Sequence, residues 1–270
     1  MSASTVRKPV ADSLATSWTI QRRVIGALLM REILTRYGRH NIGFLWLFAE
    51  PMLFTIGVTT LWSLSNAHHI SSIPIVAFAI TGYSSVLLWR SMPSRCISAI
   101  EPNLALLHHR NVRLLDVFIS RILLEMVGTS ISFVTLVLFF WGIEWVHPPE
   151  DVLKVFAAWL MLSWFGASLA ILLGALSGSS ELVEKFWHPA AYILFPLSGA
   201  AFLVDGLPKA AQSLALLLPM VHGVEFLREG YFGSAITAHY DIAYMASWNA
   251  TLTILGLVRL HAVSKQVRPE

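Results

Sequence analysis

The stretch REILTRYGRHNIGFLWLFAEP, residues 31–51, joins a basic segment directly to an apolar one. Just before and within it, residues 18–37 place apolar side chains at helical spacing beside several arginines, a pattern typical of an amphipathic helix. Gly38 offers an end for that helix, and an apolar run long enough to enter a bilayer begins at Ile42. The chain is therefore predicted to run along a membrane surface over residues 18–41 and then to cross the membrane.

The amphipathic helix at 18–37 has two possible contacts. Its apolar stripe with flanking arginines suits the headgroup plane beside anionic lipid. The same stripe could instead dock onto a partner protein. The sequence leaves both alternatives open.

The composition of the 270-residue chain indicates a polytopic membrane protein. Hydrophobic residues make up 56% and charged residues 13%, and the mean hydropathy is +0.64, whereas a soluble domain carries about 25% charged residues. The single cysteine, Cys96, excludes an internal disulfide or a cysteine metal cluster. The polar start of the chain indicates no cleavable signal peptide. The net charge of +3 is explained by lysines and arginines that lie mainly on one side of the membrane, so no nucleic-acid partner is expected.

Six segments reach the length of about 20 apolar residues that a crossing needs. We predict an all-α protein with transmembrane helices at about 42–64, 73–92, 116–141, 152–177, 186–204 and 242–260. Thirteen lysines and arginines fall on the side of the N-terminus and two on the other, which places both termini in the cytoplasm. The predicted units are a mobile cytoplasmic tail 1–17, a helix and turn 18–41, one transmembrane domain 42–260 and a cytoplasmic tail 261–270.

The long cytoplasmic connection 93–115 contains a short predicted helix. The Glu101-Pro102 step favours a helix that starts at Asn103, and Leu104 and Leu107 make this helix apolar on one side. Such a segment could fold back on the bilayer or could dock a cytosolic partner.

The connection 205–241 is too apolar for a solvated loop and too broken by proline to cross. Pro208 and Pro219 bracket one predicted half-helix, and residues 221–230 can form a second that carries Glu225 and Arg228. Two half-helices that dip back from the outer face, buried by other protein, would satisfy this pattern. They would form a lid over the space that the spans enclose.

Charged residues inside the predicted spans should face the protein interior and find partners, because an unpaired charge at mid-bilayer costs about 2.5–3.5 kcal/mol. We predict a structural ion-pair cluster in which Glu50 pairs with Arg90 or Arg121, while Arg121 pairs with Glu125 across one helical turn. A proton relay or a substrate-binding charge is the functional alternative.

Four aromatic residues lie deep in the predicted spans and could line a conduit for a sugar chain, with core packing as the alternative. They are Tyr83, Trp159, Trp164 and Tyr192. No phosphate-binding loop is present, since no glycine precedes a lysine, so any ATP and its Mg²⁺ must be bound by another polypeptide. The His68-His69 and His108-His109 pairs lack metal-site spacing, so we predict no metal, no cofactor and no catalytic residue in this chain.

The stretch 31–51, the loop SAIEPNLALLHHRNVRLLD (98–116) and the segment LPMVHGVEFLREGY (218–231) together resemble the KpsM family. Its members are the membrane subunits of ABC transporters that export group 2 capsular polysaccharide across the bacterial inner membrane. Wzm-like O-antigen exporters and teichoic-acid permeases are more distant relatives. Leu218 stands where the family usually has asparagine, which puts a hydrogen bond at that helix terminus in doubt.

The resemblance implies a role for each predicted segment. The interface helix would carry Arg31, Glu32, Arg36 and Tyr37. The coupling segment that contacts the ATPase would include Glu101, Asn103, Leu104, Leu107, His108 and Arg110. The periplasmic gate helices would include Leu207, Pro208, Leu217, Pro219, Glu225 and Arg228.

The partners implied by the resemblance are two KpsT-like ATPase subunits, a second copy of this chain and a lipid-linked polysaccharide in the bilayer. A periplasmic adaptor and an outer-membrane exporter come from the family alone. The alternatives are a permease of the same fold for O-antigen, teichoic acid or a small drug, an ion-coupled secondary transporter, and a membrane transferase. A secondary transporter would predict inverted repeats, and a transferase would predict clustered catalytic groups; the sequence has neither.

Overall fold

The computed structural model describes residues 14–37, 73–107 and 112–267, with a few isolated residues between 49 and 60. Within these residues the regular structure is entirely helical, which confirms the predicted class. The first predicted span, 42–64, and Glu50 lie outside this part of the chain. The nine described α-helices are α1 (Leu14–Tyr37), α2 (Ile75–Ile97), α3 (Leu104–Leu107), α4 (Leu114–Gly142), α5 (Val152–Ser177), α6 (Leu182–Leu197), α7 (Lys209–Ala215), α8 (Pro219–Phe232) and α9 (Ile242–Val267).

Helix α5 lies at the centre of the bundle, where α2, α8 and α9 pack against it. Glycines make these contacts close. A β-carbon on Gly166 of α5 would lie 2.9 Å from the Cα of Trp89, and one on Gly230 of α8 would lie 2.7 Å from the backbone nitrogen of Val155. Small residues at such positions are common between membrane helices, because they allow backbones to approach. The glycines of α5 and α8 therefore hold the described helices in one bundle.

Three of the described helices, α2, α4 and α5, are long and apolar enough to cross a membrane. They match the predicted spans 73–92, 116–141 and 152–177. Helix α6 has only 16 residues and contains Pro189 and Pro196, and α9 is long but less apolar. Helices α7 and α8 together would make a fourth crossing, but they meet at a bend of 106°. The chain is thus a helical polytopic membrane protein with three or four candidate spans in its described part.

Two helix ends differ from the predicted boundaries. Helix α1 begins at Leu14, so the last residues of the predicted tail 1–17 are helical. Helix α9 continues to Val267, through most of the predicted tail 261–270. Val263 is 2% exposed and lies against the turn at Gly178. This packing explains why the helix continues past its apolar stretch.

The bundle has two sides that matter for function. We call the end that carries α1, the connection between α2 and α4 and the last turns of α9 the N-terminal side. The other end, with residues 143–151 and 198–241, is the opposite side. Contacts link these segments at each end: the Ser177 hydroxyl donates to the carbonyl of Ile97 at 2.7 Å on the N-terminal side, and the Asp151 N–H donates to the carbonyl of Gly230 at 2.9 Å on the opposite side.

Candidate functional sites at the two sides of the bundle

The predicted coupling segment forms a 3-10 turn, Glu101–Asn103, followed by the single turn α3. Glu101, Pro102 and Ala105 are exposed, and the Leu104 side chain is 41% exposed. Asn103 and Leu107 are buried, at 3% and 4% exposure, because residues four apart share one face of a helix. The surface of the segment is therefore smaller than the sequence suggested, and His108 and Arg110 lie outside the described residues.

The side-chain amide of Asn103 forms hydrogen bonds within the chain through both its nitrogen and its oxygen. Its Nδ2 donates to the carbonyl of Ala99 at 2.7 Å, and its Oδ1 accepts from Nη1 of Arg31 at 2.6 Å. Both groups of the amide are thereby satisfied, as a buried polar side chain requires. Asn103 thus joins the coupling segment to α1.

Helix α1 packs along α4 with a polar face. Gln21 donates to Asp116, Glu32 pairs with Arg121 at 3.3 Å, and Arg36 pairs with Glu125. The apolar residues Ile20, Met30 and Leu34, which the sequence placed on the docking stripe, are 39%, 57% and 56% exposed. Helix α1 therefore docks on the protein through one face and exposes an apolar stripe on another, and the side chain of Tyr37 lies outside the described residues.

The predicted pairing of Arg121 with Glu125 is wrong. Arg121 instead binds Glu32, and Glu125 binds Arg36 and the Nε of Arg95, the latter at 3.3 Å. Two pairs of opposite charge, each one turn apart on its own helix, lie side by side on α1 and α4, so both bonds form between helices. The sequence could not show this because it does not say which face of α1 meets α4.

Arg90, the remaining predicted member of the charge cluster, lies apart from these ion pairs. Its guanidinium lies 5.6 Å from the centre of the Tyr192 ring on α6, within the range of a cation–π contact. It makes no ion pair with any residue in the described part of the chain. The predicted partner Glu50 falls outside that part.

The two predicted gate helices are α7 and α8, and they differ in burial. Pro208 is the N-cap of α7 and Pro219 is the first residue of α8, so α7 lies between the two prolines as predicted, while α8 begins two residues before the predicted range 221–230. Helix α7 has no buried residue, and Leu217 after it is 61% exposed; Leu207 before it is half-buried. Most of α8 is buried. Leu218, its N-cap, makes no side-chain cap hydrogen bond, which agrees with the departure noted in the sequence.

Arg228 and Glu225 of α8 are fully buried and bind the backbone. Arg228 donates to the carbonyls of Gly199 and Phe202 at 2.6 Å and of Ala200 at 2.7 Å. These carbonyls follow the C-terminus of α6, where a cation is favoured. Glu225 accepts from the N–H groups of Val204 and His239 at 3.2 and 3.1 Å. Both charges therefore hold the adjoining loops against α8.

Further bonds fix α8 at its two ends. His222 bonds to the carbonyl of Leu216 at 2.8 Å and accepts from the N–H of Asp241 at 2.8 Å. Tyr231 donates to the carbonyl of His147 at 3.0 Å, and Lys154 pairs with Glu229 at 3.3 Å. Helix α7 is held by two hydrogen bonds, which the Gln212 side-chain amide donates to the carbonyls of Asp205 and Leu207. Helix α8 is thus a fixed part of the core.

The four predicted conduit aromatics contact four different neighbouring helices. Trp159 stacks on Phe133 of α4 with ring centres 4.6 Å apart, and Trp164 donates to the Thr253 hydroxyl of α9 at 3.0 Å. Tyr83 of α2 meets Phe195 of α6 edge to face at 6.1 Å. Tyr192, also on α6, is 71% exposed. The fold buries Tyr83 and Trp159 in the core and leaves Tyr192 and Trp164 accessible.

Sequence reasoning missed several residues of these sites. Gln21, Arg95 and Asp116 carry contacts between helices, yet none was singled out. A signal was present for α1, because Gln21, Leu28, Glu32 and Arg36 share one face at helical spacing. The arginines of this helix are equally suited to the headgroup plane, so the sequence alone does not show that this face meets α4.

Residues 23–232 match the ABC-2 type transporter family. The chain is 42% identical over 254 residues to the capsule polysaccharide export inner-membrane protein CtrC of Neisseria meningitidis and to BexB of Haemophilus influenzae, covering 94% of this chain and 96% of each relative. It is 24% identical to the polysialic acid transport protein KpsM of Escherichia coli, covering 90% of this chain and 94% of that protein. The chain therefore belongs to the ABC-2 type transporter family.

Proposed function

We propose that this chain is the permease subunit of an ATP-driven ABC exporter that moves lipid-linked capsular polysaccharide from the cytoplasm to the periplasm across the bacterial inner membrane. One observation carries the proposal: the likeness to CtrC and BexB extends over 94% of the chain at 42% identity. We expect ATP and Mg²⁺ to be bound by the ATPase partner, because the sequence of this chain contains no phosphate-binding loop.

We infer six crossings with both termini in the cytoplasm. The excess of lysine and arginine on one side supports this orientation, and the basic segments α1 and 93–115 belong to the same side of the bundle. Helices α2, α4 and α5 would be three of these crossings. The other three would be residues 42–64, α6 with the residues that follow it, and α9. On this view α7 and α8 return to the periplasmic face as the gate.

The contact with the ATPase is assigned to the exposed tip of the coupling segment. Glu101, Pro102, Leu104 and Ala105 point away from the bundle, whereas Asn103 and Leu107 point into it. An apolar residue on an exposed tip, flanked by a carboxylate, is suited to seating in a cleft of a partner protein. Two ATPase subunits would each receive one such tip.

A second copy of this chain would complete the conduit. Helix α6 supports this assignment, because only Trp187 and Ala191 among its residues are buried, while Phe186 and Tyr192 are both 71% exposed. The accessible Tyr192 ring beside Arg90 presents an aromatic face and a cation to the conduit, which suits an anionic glycan. A periplasmic adaptor and an outer-membrane exporter would receive the product.

The test is glycan export by liposomes that contain this chain and the ATPase encoded beside it. Leu104→Asp should remove the ATPase from the purified complex or stop export, because it places a charge in the docking surface. Ser179→Asp is the control, since Ser179 is exposed on the same side in the connection between α5 and α6. Leu107→Asp is a poor probe because Leu107 is buried and the change would damage the fold.

Two outcomes would contradict the proposal. Normal export by Leu104→Asp would exclude the assigned docking tip. Purification of the chain without an ATPase, with transport driven by a proton gradient, would exclude the ABC exporter and make Arg90 and Arg121 the residues to study.

A further inference from the structure

We propose that α1 and the first three turns of α4 form one rigid arm, and that Arg31 and Asn103 form the joint through which the coupling segment moves this arm. The inference rests on the proposed function, because it concerns how the permease uses movement of its ATPase. It gives Arg31 and Asn103 a positioning role rather than a contact with the ATPase.

Three polar contacts make the arm rigid. Gln21, Glu32 and Arg36 of α1 bind Asp116, Arg121 and Glu125 of α4, and they span about 22 Å of α1 at 1.5 Å per residue. The four charged side chains of the two ion pairs are only 7% to 20% exposed. Separating the helices would leave each charge partly desolvated and without its partner, which is strongly unfavourable. Helix α1 should therefore move with α4.

The joint is weaker than the ion pairs of the arm because it consists of one hydrogen bond. Arg31 and Asn103 share one hydrogen bond of 2.6 Å, and Arg31 is otherwise exposed. The other end of the Asn103 amide is held by the carbonyl of Ala99, so Asn103 follows the position of the coupling segment. A displacement of the segment is thereby passed to the middle of α1.

The arm also contacts the end of α2. Nη1 of Arg121 donates to the carbonyl of Arg95 at 2.5 Å, and the Arg95 side chain pairs with Glu125 at 3.3 Å. A push on the coupling segment would thus reach the N-terminal ends of α4 and the C-terminal end of α2 together. These are two of the three helices in the described part of the chain that are long and apolar enough to cross the membrane.

The first experiment compares Arg31→Ala with Arg23→Ala in liposomes that contain the complex of this chain with its ATPase. Arg23 is an exposed arginine on the same helix, away from the face that meets α4. We expect glycan exported per ATP hydrolysed to fall about tenfold in Arg31→Ala, within the usual range of coupling between sites. Arg23→Ala should leave this ratio unchanged, and Arg31→Lys should recover part of it because a charged donor remains.

The ratio separates coupling from folding. A variant that merely misfolds loses the bound ATPase and its ATP hydrolysis together with export, whereas a broken joint loses export and keeps hydrolysis. Equal ratios in Arg31→Ala and Arg23→Ala would overturn the joint.

The second experiment needs no glycan. Glu32→Cys with Arg121→Cys is treated with a short bifunctional thiol reagent, in the complex without nucleotide and in the complex trapped with ATP and vanadate. A rigid arm predicts the same yield of cross-link in both states, and the pair Arg23→Cys with Arg121→Cys should not react across the helices. The single native cysteine, Cys96, is buried, so background reaction is low.

A yield that collapses in one nucleotide state would show that α1 and α4 separate and would overturn the rigid arm. Equal yields together with absent glycan export by the wild-type complex would count against the proposed cargo alone. The two failures are therefore distinguishable.

Discussion

Buried charges hold the two sides of the bundle together in different ways. On the N-terminal side, Glu32 and Glu125 bind arginine side chains of neighbouring helices. On the opposite side, Arg228 and Glu225 bind backbone carbonyl and N–H groups. The first arrangement joins two flexible groups and the second joins a side chain to fixed backbone.

The difference indicates where the molecule can move. Glu125 binds Arg36 of α1 as well as Arg95 of α2, so α2 can move away from Glu125 while the pair between α1 and α4 is kept. The carbonyls bound by Arg228 have no such alternative, and leaving them unpaired costs about 1–3 kcal/mol for each group. We expect the N-terminal side to change shape in transport while α8 and the end of α6 remain fixed together.

The largest effect is expected from Arg228→Met. Three carbonyls lose their donor, so the free energy of unfolding should fall by about 3 kcal/mol or more. The measurement is the thermal unfolding midpoint and the yield of monodisperse protein in detergent. Arg259→Met, at an exposed position on α9, is the control and should change neither. Wild-type stability in Arg228→Met would show that the opposite side is not held by this side chain.

A smaller loss is expected from Gly82→Ala. The new β-carbon would lie 2.4 Å from the carbonyl oxygen of Ala200 and 2.9 Å from Nη2 of Arg228. The Arg228 side chain and the carbonyls that it binds after α6 must therefore shift. Such overpacking costs about 1–3 kcal/mol. Gly142→Ala, where a β-carbon meets nothing within 4 Å, should be neutral. The cost should shrink in an Arg228→Met background, and strict additivity would argue that the two residues are independent.

On the N-terminal side we expect a modest loss from Glu125→Gln. The amide oxygen can still accept from one arginine, but the second arginine loses its acceptor and both lose the opposite charge, so the loss should be about 1–2 kcal/mol. Export should nevertheless fall, because the arm loses the pair of Glu125 with Arg95, one of its two contacts with α2. Stability by thermal unfolding and export in liposomes are measured on the same sample. Glu181→Gln, in the exposed pair with Lys185, is the control; equal effects of both would remove the distinction between the two sides.

The smallest effect on stability is expected from Gln212→Ala. It removes both side-chain ties of α7 to Asp205 and Leu207, yet α7 buries no residue, so the change should be below about 0.5 kcal/mol. Amide hydrogen exchange of residues 209–215 should become faster while that of α8 stays slow. Unchanged exchange in α7 would indicate that other contacts hold it.

Much of the architecture could be predicted from residue order. Apolar runs of about 20 residues predicted α2, α4 and α5 closely, because the bilayer fixes how long such a run must be. Pro208 and Pro219 predicted the two limits of the half-helix α7, and the residues after Pro219 predicted a second half-helix, although α8 begins at Pro219 itself and not at the predicted residue 221. The stretches 31–51, 98–116 and 218–231 together indicated the family.

Pairing between distant side chains could not be predicted. Arg121 and Glu125 are one helical turn apart, so the sequence predicts that they pair with each other. Only packing brought Glu32 and Arg36 to them and turned Asn103 and Leu107 inward. Local spacing carries no information about which helix face meets which neighbour.

The sequence by itself determined that this chain is helical, enters a membrane and belongs with ABC-2 permeases, because hydropathy, proline positions and motif order depend on near neighbours in the chain. The tertiary structure decided which charges bind each other, which gate helix is fixed and which residues of the coupling segment are exposed. Those properties arise from contacts between segments as far apart as 95 residues, and contacts of that kind are set by packing.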